Sequence, residues 1–224
     1  LDELREKADE SVIGFNSQCQ HLLSDPVQFE QQKGRLRWKT PQPLLNPDCW
    51  MERLSAPVQT FLQELDHSTN DSVRKYELDG AIAVSVAETQ VSGRGRRGQP
   101  WASPVARNLY FSLRYQMQAG AAFPEGLSLA VGVALADALT RVGLGGIYIK
   151  WPNDLYLKDR KLGGILVESR IRPDGAFDIV VGVGININMN DYRLELDQPW
   201  ISLSHVFGEQ PRDVIMRSLL MQLV

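Results

Sequence analysis

Cysteine and histidine are scarce in this chain, two and three residues in 224. Cys19 and Cys49 lack metal-ligand spacing and imply no disulfide framework, which fits a reducing cytoplasm. His21, His67 and His205 are scattered, so no His/Cys/Glu cluster for a protein-bound zinc is visible. No Ser-His-acid or Cys-His arrangement for nucleophilic catalysis is visible either. No apolar run approaches a membrane span and no signal peptide is recognisable. Charge of one sign is also missing. Lys and Arg number 24 against 27 Asp and Glu, a formal net charge of -3, so any nucleic-acid contact would need a local basic patch. With 43% hydrophobic and 23% charged residues, the chain reads as an ordinary globular protein. Its length suits one substantial domain and a small one. It starts at Leu1 and not at Met, so N-terminal residues are expected to precede it.

What the chain does have is concentrated in residues 90 to 101, Gln-Val-Ser-Gly-Arg-Gly-Arg-Arg-Gly-Gln-Pro-Trp. Glycine allows close approach of the backbone to a ligand. Arginine is always charged and offers a planar fork of donors to carboxylates and phosphates. Gly93, Arg94, Gly95, Arg96, Arg97 and Gly98 therefore describe a loop that closes over an anion, or else a basic surface loop touching nucleic acid. The stretch is neither a phosphate-binding P-loop nor a dinucleotide-binding fingerprint.

Residues 39 to 48 hold Pro41, Pro43 and Pro47 and read as an extended connector. Before it, residues 1 to 8 and Ser11 to Leu23 read as helices, and Val27 to Trp38 as a hairpin turning at Lys33-Gly34. After it, Asp48 to Leu65 reads as helical and then extended. Strands are predicted at Ala81 to Ala87, Asn108 to Tyr115, Ile147 to Trp151, Gly164 to Ser169 and Phe177 to Asn188. Leu109, Phe111 and Leu113 share one face of the second. Pro124 to Val142 reads as a helix whose stripe is Leu127, Val131, Leu135, Ala138 and Val142, with Gly143 past its end. Residues 211 to 224 read as a last helix. The pattern is that of a mixed-sheet α/β or α+β domain.

The second chemical cluster is Lys150-Trp151-Pro152-Asn153-Asp154, followed seven residues later by Lys161 before a glycine pair. Lys161 reads as a ligand contact or as an exposed turn lysine, and Asp154 as a site acid or a turn aspartate. Asn186 and Asn188 end an apolar run, where a buried amide must be hydrogen-bonded, either to a second strand or to a ligand. Ser68-Thr69-Asn70 supplies ligand-binding hydroxyls and an amide, or simply a helix N-cap. Trp101 is either a cleft wall or core.

These blocks together resemble biotin protein ligase, the biotin–acetyl-CoA-carboxylase ligase, of the type that doubles as the biotin operon repressor. The resemblance covers roughly residues 40 to 205 and rests on Gly93 to Gly98 with Trp101, Lys150 to Asp154, Lys161 to Leu166, Gly182 to Asn186, and Ser68 to Asn70, in order and spacing. It implies an α+β protein: a partial winged helix-turn-helix in residues 1 to 40, a linker at 41 to 48, and a mixed-sheet catalytic domain in 49 to 224. That domain is related to class II aminoacyl-tRNA synthetases. The resemblance also implies that biotin and ATP give biotinyl-5′-adenylate, and that a lysine of a biotin carboxyl carrier protein domain of acetyl-CoA carboxylase then takes the biotin. Magnesium enters with ATP, and no tightly bound protein metal is implied.

By the same resemblance, Ser68, Thr69, Gln90 and Arg94 hold the biotin ureido ring, with Gly93 allowing close approach. Lys161 meets the biotin carboxylate and the α-phosphate. Arg96 retains the adenylate, and Arg97 is a further phosphate contact. Trp101 packs over the intermediate near the adenine, and Asn186 contacts adenine or phosphate. Lys150, Asn153 and Asp154 line the nucleotide side, and Asp154 orients the incoming amine. The catalytic set is thus Lys161, Arg96 and Asp154. A homodimer through the central sheet and a DNA operator are further implied partners.

The chain departs from the family in three places. His67 stands where an aspartate usually precedes Ser-Thr, with Asp66 one place earlier. The family's C-terminal SH3-like domain is absent after Val224. The segment matching a recognition helix, Ser11 to Leu23, has no Lys or Arg, although Asn16, Gln18 and Gln20 suit base edges and Arg35, Arg37 and Lys39 charge the wing. Two other readings stay open: a lipoate-type protein ligase, and a DNA-binding regulator that senses biotinyl-adenylate without full ligase activity.

Overall fold

A computed structural model describes residues 28–32, 35–39, 42–51, 54, 57–78, 82–119, 124–190 and 198–224. The helices read at residues 1 to 8 and Ser11 to Leu23 lie outside the described residues. The hairpin is present, with β1 (Phe29–Gln32) antiparallel to β2 (Arg35–Trp38) in a two-stranded sheet of its own. The connector leads into α1 (Asp48–Met51) and then β3 (Val58–Gln63).

The main sheet has seven strands in the order β3-β4-β5-β9-β8-β7-β6. Between β3 and β4 (Ile82–Ala87) lie the one-turn helix α2 (Thr69–Ser72) and a 3₁₀ turn, Val73–Lys75. β5 (Leu109–Met117) is followed by α3 (Leu127–Arg141), β6 (Ile147–Lys150), β7 (Asp154–Leu157), β8 (Arg160–Ile171) and β9 (Phe177–Ile185). The chain then forms α4 (Ser204–Phe207) and α5 (Arg212–Leu223). β3 and β4 run parallel, and every other neighbouring pair in this sheet is antiparallel.

Alternation along the strands gives the sheet two different faces. Val84 and Val86 of β4, Leu109, Phe111 and Leu113 of β5, Ile165 of β8, and Val181 and Val183 of β9 join α3 and α5 in one core. The stripe of α3 is as predicted: Val131, Leu135 and Ala138 are buried, with Leu127 and Val142 packed alongside. Ile215, Met216, Leu219 and Leu220 of α5 complete this layer. Each such buried side chain contributes about 1.5–3 kcal/mol, so the helical layer fixes the sheet. The intervening positions, among them Ser85, Ser112, Gly164, Gly182 and Gly184, fall on the other face, where the short α2 packs over Ser112 and Gly182 and the long helices α3 and α5 do not reach.

Several boundaries differ from the sequence reading. α3 starts at Leu127 and not at Pro124, because Gly126 takes a left-handed φ of 81° that no helix residue adopts. β8 begins at Arg160, which puts Lys161 on a strand and not in a turn. Asp154 opens β7, a strand hidden from the sequence by its Asn-Asp start. β9 stops at Ile185, leaving Asn186 and Asn188 just beyond it. No helix among the described residues is long and apolar enough to cross a membrane.

Candidate active site

The face of the sheet opposite α3 and α5 carries a cleft of about 750 Å3. Its floor is made where strands lack side chains. Gly184 pairs with Gly164 on β8, and Gly182 lies between Ser112 on β5 and Leu166 on β8. A Cβ on Gly184 would stand 2.6 Å from the Trp101 ring, and one on Gly182 would stand 2.1 Å from Asn70 Oδ1. Trp101 and Asn70 therefore rest directly on the sheet, and only glycine permits that approach. Trp101 is half-buried and lines the cleft, so it is a wall and not core.

At one end, neutral polar groups converge. The Gln90 side-chain carbonyl accepts from the Thr69 backbone N–H at 3.0 Å and from its hydroxyl at 3.2 Å. The Gln90 amide donates to Ser103 Oγ at 3.3 Å. Gly93 lies against these groups, where a Cβ would be 3.0 Å from Gln90 Nε2. Ser68 holds the N-cap position of α2 but makes no side-chain cap bond, and it lines the cleft. The buried Asp66 serves that end of the helix instead, accepting from the Ser68 N–H at 3.3 Å and from Ser72 Oγ at 2.7 Å. Asp66 is thus the buried carboxylate beside Ser68-Thr69, while His67 is exposed.

At the other end the groups are cationic. Lys161 Nζ lies 3.0 Å from Asp154 Oδ1 and 5.7 Å from the centre of the Trp101 ring. Arg96 donates to Asn153 Oδ1 at 3.3 Å, and Asn153 in turn donates to the Ile165 carbonyl at 2.8 Å. Arg97 takes a left-handed φ of 56° and is exposed at the rim. Asn186 lines the cleft and also donates to the Ile201 carbonyl, so it ties two segments as well as facing the cleft.

Lys150 is not brought in: its ammonium lies 4.7 Å over the Tyr156 ring, outside the cleft lining. Asn188 is a purely structural amide here, exchanging hydrogen bonds with the Gln210 backbone. Arg94 lines the cleft, but its guanidinium is committed to Asp71 in a bidentate pair at 2.7 Å. That pair holds the Asp71 carboxyl below the usual carboxylate range.

A family model described as the biotin/lipoate A/B protein ligase family matches residues 62–186. The chain belongs to that family. It is 41% identical to the bifunctional ligase/repressor BirA of Escherichia coli, over 99% of this chain and 70% of that protein. Identity to the protein of the same name from Salmonella typhimurium is 37%, with the same coverage. Among solved structures, it is similar to the biotin protein ligase from Aquifex aeolicus in complex with biotin and ATP. The TM-score is 0.62 and the identity 26%, over 74% of this chain and 68% of that one.

Four groups in or beside the cleft escaped the sequence reading. Trp200 lines the cleft beside Lys161, held by a parallel bridge between the two backbones. Asp71, Arg74 and Glu168 build a charged border around Arg94. Burial pushes the Glu168 carboxyl up, but hydrogen bonds from Asn70 and Arg74 outweigh it and hold the group below its ordinary value. The one available signal was a glutamate ending the apolar run Ile165-Leu166-Val167.

Proposed function

We propose that this protein is an ATP-dependent biotin protein ligase, which forms biotinyl-5′-adenylate and passes biotin to a lysine of a biotin carboxyl carrier protein domain. The reading is carried by one observation: the cleft is two-ended. Ser68, Thr69 and Gln90 offer neutral donors and acceptors at one end, and Lys161 and Arg96 offer cations at the other. Such a cleft suits a ligand with an uncharged polar ring and a carboxylate at the far end of an apolar chain, lying along the glycine floor.

In the first step a carboxylate oxygen attacks the α-phosphorus of ATP, and the bond to the β-phosphate breaks with release of pyrophosphate. Two anions must meet, so preorganised cations supply the main electrostatic gain. Lys161 stands between them, steadied at rest by Asp154 3.0 Å away. Arg96 hydrogen-bonds the neutral Asn153 amide, which leaves its charge for phosphate. Trp101 and the loop exclude water from the acyl-adenylate. In the second step the carrier lysine amine attacks the acyl carbon and AMP leaves, with Asp154 orienting the amine. Magnesium travels on the ATP phosphates. Positioning supplies much of the rate, since no covalent enzyme intermediate is required.

Residues 49 to 224 are the catalytic domain in this reading, 41 to 48 the linker, and 1 to 40 a partial winged helix-turn-helix. A second role as a biotin-responsive repressor is favoured by the names of the relatives and by the separate β1–β2 hairpin, which suits a wing. Titration calorimetry with biotin, with and without MgATP, followed by mass spectrometry of the bound ligand tests the first reading. A trapped biotinyl-adenylate supports it; preference for lipoate in competition, or no binding, overturns it. An operator gel shift that needs biotinyl-adenylate tests the second.

A further inference from the structure

Trp151 is the most exposed large apolar side chain among the described residues, at 77%, yet it lines the cleft. It stands at the tip between β6, which ends at Lys150, and β7, which begins at Asp154. The last cross-strand pair below the tip joins those two residues. The tip is fastened to β8. The Asn153 carbonyl accepts from the Ile165 N–H at 2.9 Å, and the Asn153 side-chain amide donates to the Ile165 carbonyl at 2.8 Å. The other two tryptophans of the cleft, Trp101 and Trp200, are partly buried and form its inner walls. Trp151 stands outside them, at the mouth.

The second half-reaction passes through that mouth. The carrier's lysine nitrogen bonds to the acyl carbon, the C–O bond to the phosphate breaks with its electron pair leaving on AMP, and the surplus proton of the amine goes to solvent. The amine must come to Lys161, whose Nζ lies 3.0 Å from Asp154 Oδ1. A lysine carries its amine at the end of a flexible four-carbon stem. With the amine beside Asp154, the carrier backbone stays at the mouth. Trp151 is three residues from Asp154, a span of at most about 10 Å, so its ring meets the neighbours of the target lysine. An indole brings a large apolar area to a contact at low rotamer cost, and tryptophan is enriched among interface anchors. Lys150, also exposed, sits at the base of the tip with its ammonium 4.7 Å over the neutral Tyr156 ring, which leaves its charge for a partner.

We propose that Trp151 is a recognition residue for the carrier domain: its indole packs on an apolar side chain beside the target lysine, while Lys150 faces an acidic one. The ring serves the second half-reaction and not the first. It selects the carrier's lysine from other lysines once the adenylate is in the cleft. This inference rests on the ligase reading of the cleft.

The test uses the full chain and separates the half-reactions. Pyrophosphate release with biotin and MgATP reads the first. Transfer to hydroxylamine, a nucleophile too small to touch the tip, and transfer to an unbiotinylated carrier domain read the second. Trp151→Ala should stay within about twofold of the parent in pyrophosphate release and in hydroxamate formation, as befits an exposed side chain. Its KM for the carrier should rise about thirtyfold with kcat at saturating carrier unchanged, the effect of losing an interface anchor. Trp151→Phe, which keeps an aromatic ring, should stay within about fivefold of the parent, and both melting temperatures within about 3 °C of it. Lys150→Gln should raise KM for the carrier about threefold at low salt and leave it unchanged at high salt. An unchanged carrier KM in Trp151→Ala overturns the inference and leaves the ligase reading standing. So does a fall in pyrophosphate release, which would give the ring to the nucleotide. A shift in molar mass by light scattering with the carrier KM unchanged gives the ring to a second copy of the chain and also overturns it. No pyrophosphate release by the parent overturns the ligase reading, and the inference with it.

Discussion

The buried pair between Glu88 and Arg212 yields the largest stability prediction. Glu88 has no exposed side-chain surface and Arg212 has 5%. Arg212 NH1 donates to Glu88 Oε2 at 2.6 Å and to the Asn108 carbonyl at 3.1 Å, and NH2 donates to the Pro43 carbonyl. The other Glu88 oxygen accepts from the Leu45 backbone N–H. One ion pair therefore joins the proline connector, the end of β4, the start of β5 and the first turn of α5. Replacing Arg212 by Met keeps the volume but strands a buried carboxylate with one remaining donor.

Removing one partner of such a pair costs about 3–5 kcal/mol, because the charge left behind has lost its solvent and its counter-ion. For a domain of this size that corresponds to a fall in Tm of about 6–20 °C. Thermal and urea unfolding followed by circular dichroism measure it. Glu88→Gln should cost less, since the amide still accepts from Arg212. Glu88→Leu combined with Arg212→Met should recover about 2 kcal/mol or more relative to the sum of the singles, since neither charge is then stranded. A cost below about 1 kcal/mol for Arg212→Met would refute the reasoning, because it would mean that Glu88 finds water the packing denies it.

Three further substitutions address the cleft. Lys161→Ala should abolish adenylate formation far more than biotin binding; pyrophosphate release and calorimetry separate the two, and an unaffected first step removes Lys161 from the mechanism. Arg96→Gly should let the adenylate escape and biotinylate lysines of bystander proteins, visible on a streptavidin blot, and unchanged target selectivity counts against the retention role. Gly184→Ala places a methyl 2.6 Å from the Trp101 ring and should lift the indole from the floor, at a cost of about 1–3 kcal/mol for overpacking. A shifted Trp emission and weakened biotin binding are the expected readouts, and unchanged values for both would show that the ring does not need that floor.

Period-2 and period-3.6 patterns made most of the catalytic fold legible. The face shared by Leu109, Phe111 and Leu113 and the stripe on α3 are where the sequence put them, because burial of one face is what such patterns encode. β7 escaped because it is four residues long and its first residue, Asp154, follows Asn153, a pair that reads as a turn. The reach of β8 back to Lys161 escaped because Gly163 and Gly164 look like a boundary, while pairing with β7 and β9 carries the strand through them. The cleft's glycines were visible as a motif, but the ring and the amide that rest on them were not. Contacts of that kind join residues far apart in the chain, and no local pattern records them.

The same limit governs the reading of charged groups. Arg94 and Arg96 stand two residues apart in one loop, carry the same side chain and invite the same assignment. What separates them is where the body of the protein places its carboxylates: Asp71 and Glu168 lie under Arg94, while Arg96 faces an amide. A guanidinium in a bidentate pair would have to give up that pair to bind a ligand, whereas one on a neutral amide gives up little. The division of labour in the loop is therefore set by its counter-charges. A cation's availability to a phosphate is a property of the fold around it, and here Arg96 faces a neutral amide while Arg94 is paired with Asp71.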